Sequence, residues 1–146
     1  MSDQLDTSAA RRRCVGANIR RTDRVVTQFY EEMMAPSGLN APQFWLLATL
    51  AEVAPITIHR LAQIMDIDRT TLTRNLKLLI KQHLVESREG EDRRIRLVQL
   101  SQEGEQALRH AWPLWQEAQA RIERALGREH LEALLTELSA VRALVD

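Results

Sequence analysis

The stretch from Asp68 to Gln82, DRTTLTRNLKLLIKQ, decides the reading of this 146-residue chain. Wound as an α-helix, it has two chemically different faces. Leu72, Leu76, Leu79 and Ile80 recur at i, i+4, i+7 and i+8 and make one apolar stripe. Thr70, Thr73, Arg74, Lys77 and Lys81 occupy the other side, which carries hydroxyls and cations and no carboxylate. Asp68 stands where an N-cap belongs, with its side chain free to accept an orphan amide N–H. Upstream, ITIHRLAQIMDI (56–67) reads as a short extended piece, Ile56 to Ile58, then a helix capped by Thr57 and a tight turn. Leu61, Ala62, Ile64 and Met65 are expected to bury against the second helix. Two helices joined by a three- or four-residue turn, the second exposing Thr and Arg near its start, are the layout of a DNA-reading helix-turn-helix. An ordinary amphipathic helix with a solvated basic face fits the same residues.

The residues that follow favour the first reading. Leu84 to Arg88 can form a strand, Glu89 to Arg94 a polar turn, and Ile95 to Leu100 (IRLVQL) a second strand. Ser101 then caps a long helix. A helix-turn-helix followed by a charged two-stranded ribbon is a winged helix-turn-helix, so the predicted fold class is mainly α with a small β-wing.

The segment 56–104, ending in LVQLSQEG, resembles the multiple-antibiotic-resistance regulator (MarR) family of bacterial transcription regulators. Its wing carries Asp92-x-Arg94-x-x-x-Val98-x-Leu100-Ser101, similar to that family's signature with Ser in place of the more usual Thr. The likeness reaches upstream through Gln43-Phe44 and Leu47, and covers most of the chain from about Ile19 onward. Two positions depart from the family: Asp66 in the turn and His83 after the reading helix stand where it usually has Gly. Both positions are expected to need a positive φ, which Asp tolerates better than most residues.

The resemblance implies a cytoplasmic, homodimeric regulator of bacterial transcription, usually a repressor, that binds a pseudo-palindromic operator in double-stranded DNA. It implies one domain over residues 1–146, with dimerisation helices at about 1–35 and 102–146 and a winged-helix lobe at about 40–101. The DNA-facing residues are then Thr57, Asp68, Arg69, Thr70, Thr71, Thr73, Arg74 and Lys77, with Arg88, Arg93, Arg94 and Arg96 in the wing. Within the wing the family's Asp-x-Arg pair sets the turn, and an Arg reaches the minor groove. Asp92 and Arg94 can equally well pair only to hold the turn, leaving Arg93 to point outward.

Net charge is zero, but its distribution is uneven. Residues 56–100 hold nine Lys/Arg and six Asp/Glu, residues 101–146 hold five and eight, and residues 1–55 hold six of each. The predicted DNA-facing segment is basic and the C-terminal segment acidic. No apolar run of 18 residues suggests a membrane span. The start, MSDQLDTSAARRRC, lacks the apolar core of a secretion signal. A single cysteine excludes an internal disulfide and fits a reducing cytosol.

A first helix is expected from Arg11 to about Met34, with Ile19, Val26, Phe29, Tyr30 and Met33 near one face. A second follows the Asn40 cap, with Pro42 in its first turn and Phe44, Leu47, Ala48 and Leu50 inward. Gln102 to Leu126 reads as one long helix interrupted by Pro113. A last helix is expected from Arg128 to Val145. The apolar stripes of these terminal helices exceed what one small lobe can cover, which fits an isologous homodimer.

Nothing in the sequence points to catalysis or to a cofactor. His59, His83, His110 and His130 are scattered, and neither metal-ligand spacing nor a Gly-rich phosphate loop occurs. A winged helix used only for protein contact is the other non-enzymatic reading. It fits less well, because such a surface would be richer in aromatic and apolar anchors than the face around Arg74 and Lys77. For regulation two readings stand. A small aromatic or phenolic effector, expected to be a planar anion, would bind between the lobe and the dimer helices near Arg20, Tyr30, Trp45, Trp112 and Trp115. Core packing explains the aromatic residues equally well. Alternatively Cys14, preceded by Arg11, Arg12 and Arg13, is a redox-sensing thiol, as in some members of the family. A small buried residue is the plainer account of one cysteine with no second thiol to resolve a sulfenate.

Overall fold

A computed structural model describes residues 7–92 and 94–145. Its centre is the pair α4 (Ile58–Met65) and α5 (Arg69–Lys81). Asp68 caps α5, accepting the Thr71 N–H at 2.8 Å. Thr57 caps α4 in the same way, accepting the Arg60 N–H at 3.2 Å. Between the two helices the chain turns through Asp66 at φ 51°, in the left-handed region. The turn is closed by N–H bonds from Asp66 to the Gln63 carbonyl and from Ile67 to the Ala62 carbonyl. Leu61, Leu72, Leu76 and Leu79 are fully buried between the helices and the rest of the lobe. Ile80 and Ile64, expected on the inner face, are instead 38% and 44% exposed. The buried strip of α5 follows 72, 76 and 79, and Ile80 lies one position past its edge.

The wing is β2 (Val85–Glu89) and β3 (Arg96–Leu100), paired antiparallel with Ser87 opposite Val98. A third, two-residue strand, β1 (Ile56–Thr57), adds to the far side of β3 with Ile56 opposite Val98, giving the order β1-β3-β2. The extended piece before α4 is thus a sheet strand. α3 (Ala41–Val53) closes the core from the other side. Asn40 and Gln43 form a reciprocal capping box at its start. Phe44, Leu46, Leu47 and Leu50 are buried, and Ala48 is only partly so.

The lobe is tied to the start of the long helix α6 (Gln102–Leu126) through Ser101. Ser101 donates its hydroxyl to the His83 carbonyl and accepts the Gly104 N–H at 2.9 Å. His83 sits at φ 59°, in the left-handed region like Asp66. A Cβ on buried Gly104 would overlap the Leu84 carbonyl oxygen, so α6 approaches the lobe at a distance only glycine allows.

α6 runs unbroken through Pro113, where an interruption was expected. The lost hydrogen bond is tolerated because buried Ala111 and Ala118, on either side, keep the helix packed along α2 and α3. The first helix, by contrast, is not continuous. α1 (Thr7–Arg13) and α2 (Val15–Met34) are separated at Cys14, whose ψ of 112° is extended. The free carbonyls at the break are taken up by side chains: Asn18 donates to Arg12 and Cys14, and Arg21 donates to Arg11. The last helix, α7 (Arg128–Arg142), gives way to a 3₁₀ turn over Ala143–Val145. No residue of α7 is buried, and Leu134, Leu135 and Leu138 stay exposed together with Val15, Ile19, Val25 and Val26 of α2.

Candidate nucleic-acid interface

The exposed side of α5 is a shallow groove lined by Arg69, Thr70, Thr73, Arg74 and Lys77. Among the described residues none of these three cations joins a salt bridge. Thr73 donates its hydroxyl to the Arg69 carbonyl at 2.7 Å, which leaves its lone pairs outward. Thr71 behaves differently. It is half-buried, and its hydroxyl and N–H both go to the Asp68 carboxylate. Those two bonds hold the Asp68 carboxyl below the usual carboxylate range, with a smaller contribution from the Arg74 charge. Thr57, Asp68 and Thr71 therefore belong to the caps that fix the helices, while the groove residues face solvent.

In the wing, the Asp92 carboxylate accepts the Arg94 backbone N–H at 2.9 Å and the Arg94 guanidinium at 3.2 and 3.3 Å. The backbone bond is the larger cause of a lowered Asp92 pKa, and the side-chain bond the next. The Arg94 side chain is nonetheless 90% exposed. Arg93 lies outside the described residues. Arg88 is opposite Leu97, and Arg96 is opposite Glu89. Because side chains alternate along a strand, Arg88 and Arg96 project from opposite faces of the ribbon.

At the junction of α3 and α6 the aromatic residues gather. Trp115 lies 5.9 Å from Trp45 and 4.8 Å from Trp112, ring centre to ring centre, and stacks on Phe44 at 6.0 Å. Trp45, Thr49, Glu52, Leu108, Trp112 and Trp115 line an open cavity of about 420 Å³. The other two residues expected there do not line it. Tyr30 accepts a hydrogen bond from Gln119 at 2.9 Å, and burial pushes its hydroxyl pKa up. Arg20 is exposed on α2. Glu52 and Thr49 were missed in the sequence, although their i+7 and i+4 spacing from Trp45 puts all three on one helix face. Cys14 is exposed at the break between α1 and α2. No helix is long and apolar enough to cross a membrane, and no metal-binding cluster occurs among the described residues.

Comparison with known proteins places this arrangement. A family model described as MarR family matches residues 37–95. The M. tuberculosis transcriptional regulator MosR, solved in complex with DNA, is 33% identical with a TM-score of 0.78; the match covers 89% of this chain and 97% of MosR. The chain belongs to the MarR family. A mutant MarR from E. coli complexed with operator DNA shares the fold at a TM-score of 0.82, with 24% identity over 90% of this chain and 96% of that one. An uncharacterised HTH-type regulator of Bacillus subtilis (strain 168), YwoH, is 31% identical over 87 residues; the match spans 60% of this chain and 64% of YwoH. Asp66 and His83, both expected to need a positive φ, hold the left-handed backbone.

Proposed function

We propose that this MarR-family chain is a sequence-specific DNA-binding transcription repressor that works as a homodimer on a pseudo-palindromic operator, in the cytoplasm. The observation that carries the reading is the α5 groove, where Arg69, Arg74 and Lys77 face solvent, without a salt bridge among the described residues, beside the hydroxyls of Thr70 and Thr73. Cations left free on a helix set forward from the lobe suit phosphates and guanine edges in a major groove. The exposed apolar faces of α2 and α7 suit a second copy of the chain. Two such copies present their α5 helices to half-sites about 34–36 Å apart. A ligand that favours one angle between lobe and dimer helices favours one spacing, and it shifts the equilibrium between spacings by no more than its differential affinity for them. The cavity between α3 and α6 lies at that junction and is the proposed effector site.

The test is a mobility shift on DNA flanking the gene. Arg74→Ala is expected to lose about 1–3 kcal/mol of discrimination between operator and random DNA. Normal operator binding by that variant would refute the assignment of α5. Cys14→Ser separates the effector reading from a thiol switch. On the effector reading the variant still releases DNA with ligand, whereas a thiol switch makes release depend on oxidant and on Cys14.

A further inference from the structure

All three tryptophans of the chain, Trp45, Trp112 and Trp115, meet at one cavity. Trp45 and Trp112 are each 43% exposed, so their rings remain available to a ligand. The only ionised side chain lining this space among the described residues is the carboxylate of Glu52; no Lys or Arg lines it. Glu52 enters no salt bridge among the described residues. It also sits in the last turn of α3, so the negative end of that helix adds to its charge. Indole faces carry negative potential, and they attract cations most strongly of all aromatic side chains. The Glu52 carboxylate, the carbonyl end of α3 and three electron-rich indoles thus line one space with no Lys or Arg among the described residues. A polar group of opposite character there is the buried Trp115 Nε1–H, which has no hydrogen-bond partner among the described residues. A carboxylate or phenolate placed there would meet repulsion from the Glu52 carboxylate, the helix end and the indole faces.

We infer that this cavity binds a small organic cation, such as a quaternary ammonium or a cationic aromatic, and not the planar anion that the sequence suggested. The inference rests on the proposed reading of the cavity as the effector site and adds the charge of the ligand. The three indoles hold the cationic head, and Glu52 neutralises it at the cavity mouth.

The tryptophans are all at the site, so tryptophan fluorescence of the full-length protein, excited beyond the absorption of Tyr30, reports on this cavity. Three probes of similar size separate charge from shape: phenyltrimethylammonium, its uncharged isostere tert-butylbenzene, and benzoate. Phenyltrimethylammonium is expected to quench the fluorescence and to bind about tenfold more tightly than tert-butylbenzene, with benzoate weakest. Glu52→Gln is expected to remove most of that advantage while leaving tert-butylbenzene unaffected. Glu52 is exposed, so this variant is expected to fold. Equal or tighter binding of benzoate, or a Glu52→Gln variant that binds the cation normally, overturns the inference. A mobility shift with each probe tests the underlying reading separately. Glu52-dependent cation binding that leaves DNA bound upholds the cation site and overturns its role as effector site. Benzoate binding that releases DNA upholds the effector site and overturns the cation. Absence of quenching by all three probes overturns both.

Discussion

The winged-helix lobe and the terminal helices use the same apolar periodicity and end in opposite states. In the lobe, Leu61, Leu72, Leu76, Leu79, Val85 and Val98 are closed off by α3, α4, α5 and the sheet, with almost no exposed area left on any of them. In α7, Leu134, Leu135 and Leu138 form an equally regular stripe, yet none is buried. The difference lies in what each element finds within the chain. α5 is enclosed by short connections that fold neighbours back onto it. α7 extends from Gly127 at the end of the 25-residue α6, beyond the reach of the lobe. An apolar stripe thus identifies a face that needs covering, and the topology decides whether the same chain can cover it.

The sharpest way to break this comparison is one truncation on each side. Leu79→Ala is expected to cost about 2–5 kcal/mol in urea unfolding, because it opens a cavity in a closed core. Leu135→Ala, at a residue 57% exposed in the protomer, should leave unfolding of the lobe nearly unchanged. Comparable losses at both sites would show that the α7 stripe is covered, by a second copy if the loss depends on protein concentration and within one chain if it does not.

A smaller effect on stability, but a decisive one for assembly, is expected from Leu135→Glu. If the proposed dimer forms through α7, a carboxylate on its stripe should shift sedimentation from dimer to monomer while the far-ultraviolet spectrum stays native. A variant that sediments as the parent does would place the interface elsewhere.

The smallest effect concerns acid. Asp68 is held below its usual pKa mainly by the Thr71 hydroxyl and amide, and Asp92 mainly by the Arg94 amide. A depressed folded pKa stabilises the fold above the unfolded value, about 3.9 for Asp. That contribution is lost as pH falls from there through the folded pKa. Asp68→Asn keeps a cap oxygen but cannot titrate, so its melting temperature should decline less steeply than the parent's below about pH 4. Parallel acid limbs would remove Asp68 from the account. Glu117 in α6 is likewise held below its usual pKa, first by Arg121 and then by Arg124, so Asp68→Asn should remove only its own, lobe-based part of the acid response.

Much of the lobe was legible in the sequence because its signals are local. An N-cap, a capping box and an apolar period each act within a turn or two, so Thr57, Asp68, Asn40 and Ser101 are recognisable as caps from the few residues around them. The positive φ at Asp66 and His83 could be anticipated from the glycines that the MarR family uses at those positions. The break at Cys14 could not, because nothing local forbids a helix through Arg13-Cys14-Val15. The side chains of Asn18 and Arg21, reaching back to carbonyls up to ten residues away, hold the two pieces apart.

Sequence alone determined which faces are apolar, where the helices from α3 onward start, and that one helix presents Thr, Arg and Lys without a carboxylate. Those properties depend on residues three to seven apart, and helical geometry fixes them as soon as a helix forms. Only the tertiary structure decided that Trp45 and Glu52 meet Trp112 and Trp115, that Tyr30 goes to Gln119 instead, and that Arg88 and Arg96 leave the ribbon on opposite faces. Each of these joins elements distant in sequence or depends on strand register. Such contacts are set by packing the whole chain at once and leave no trace in any local period.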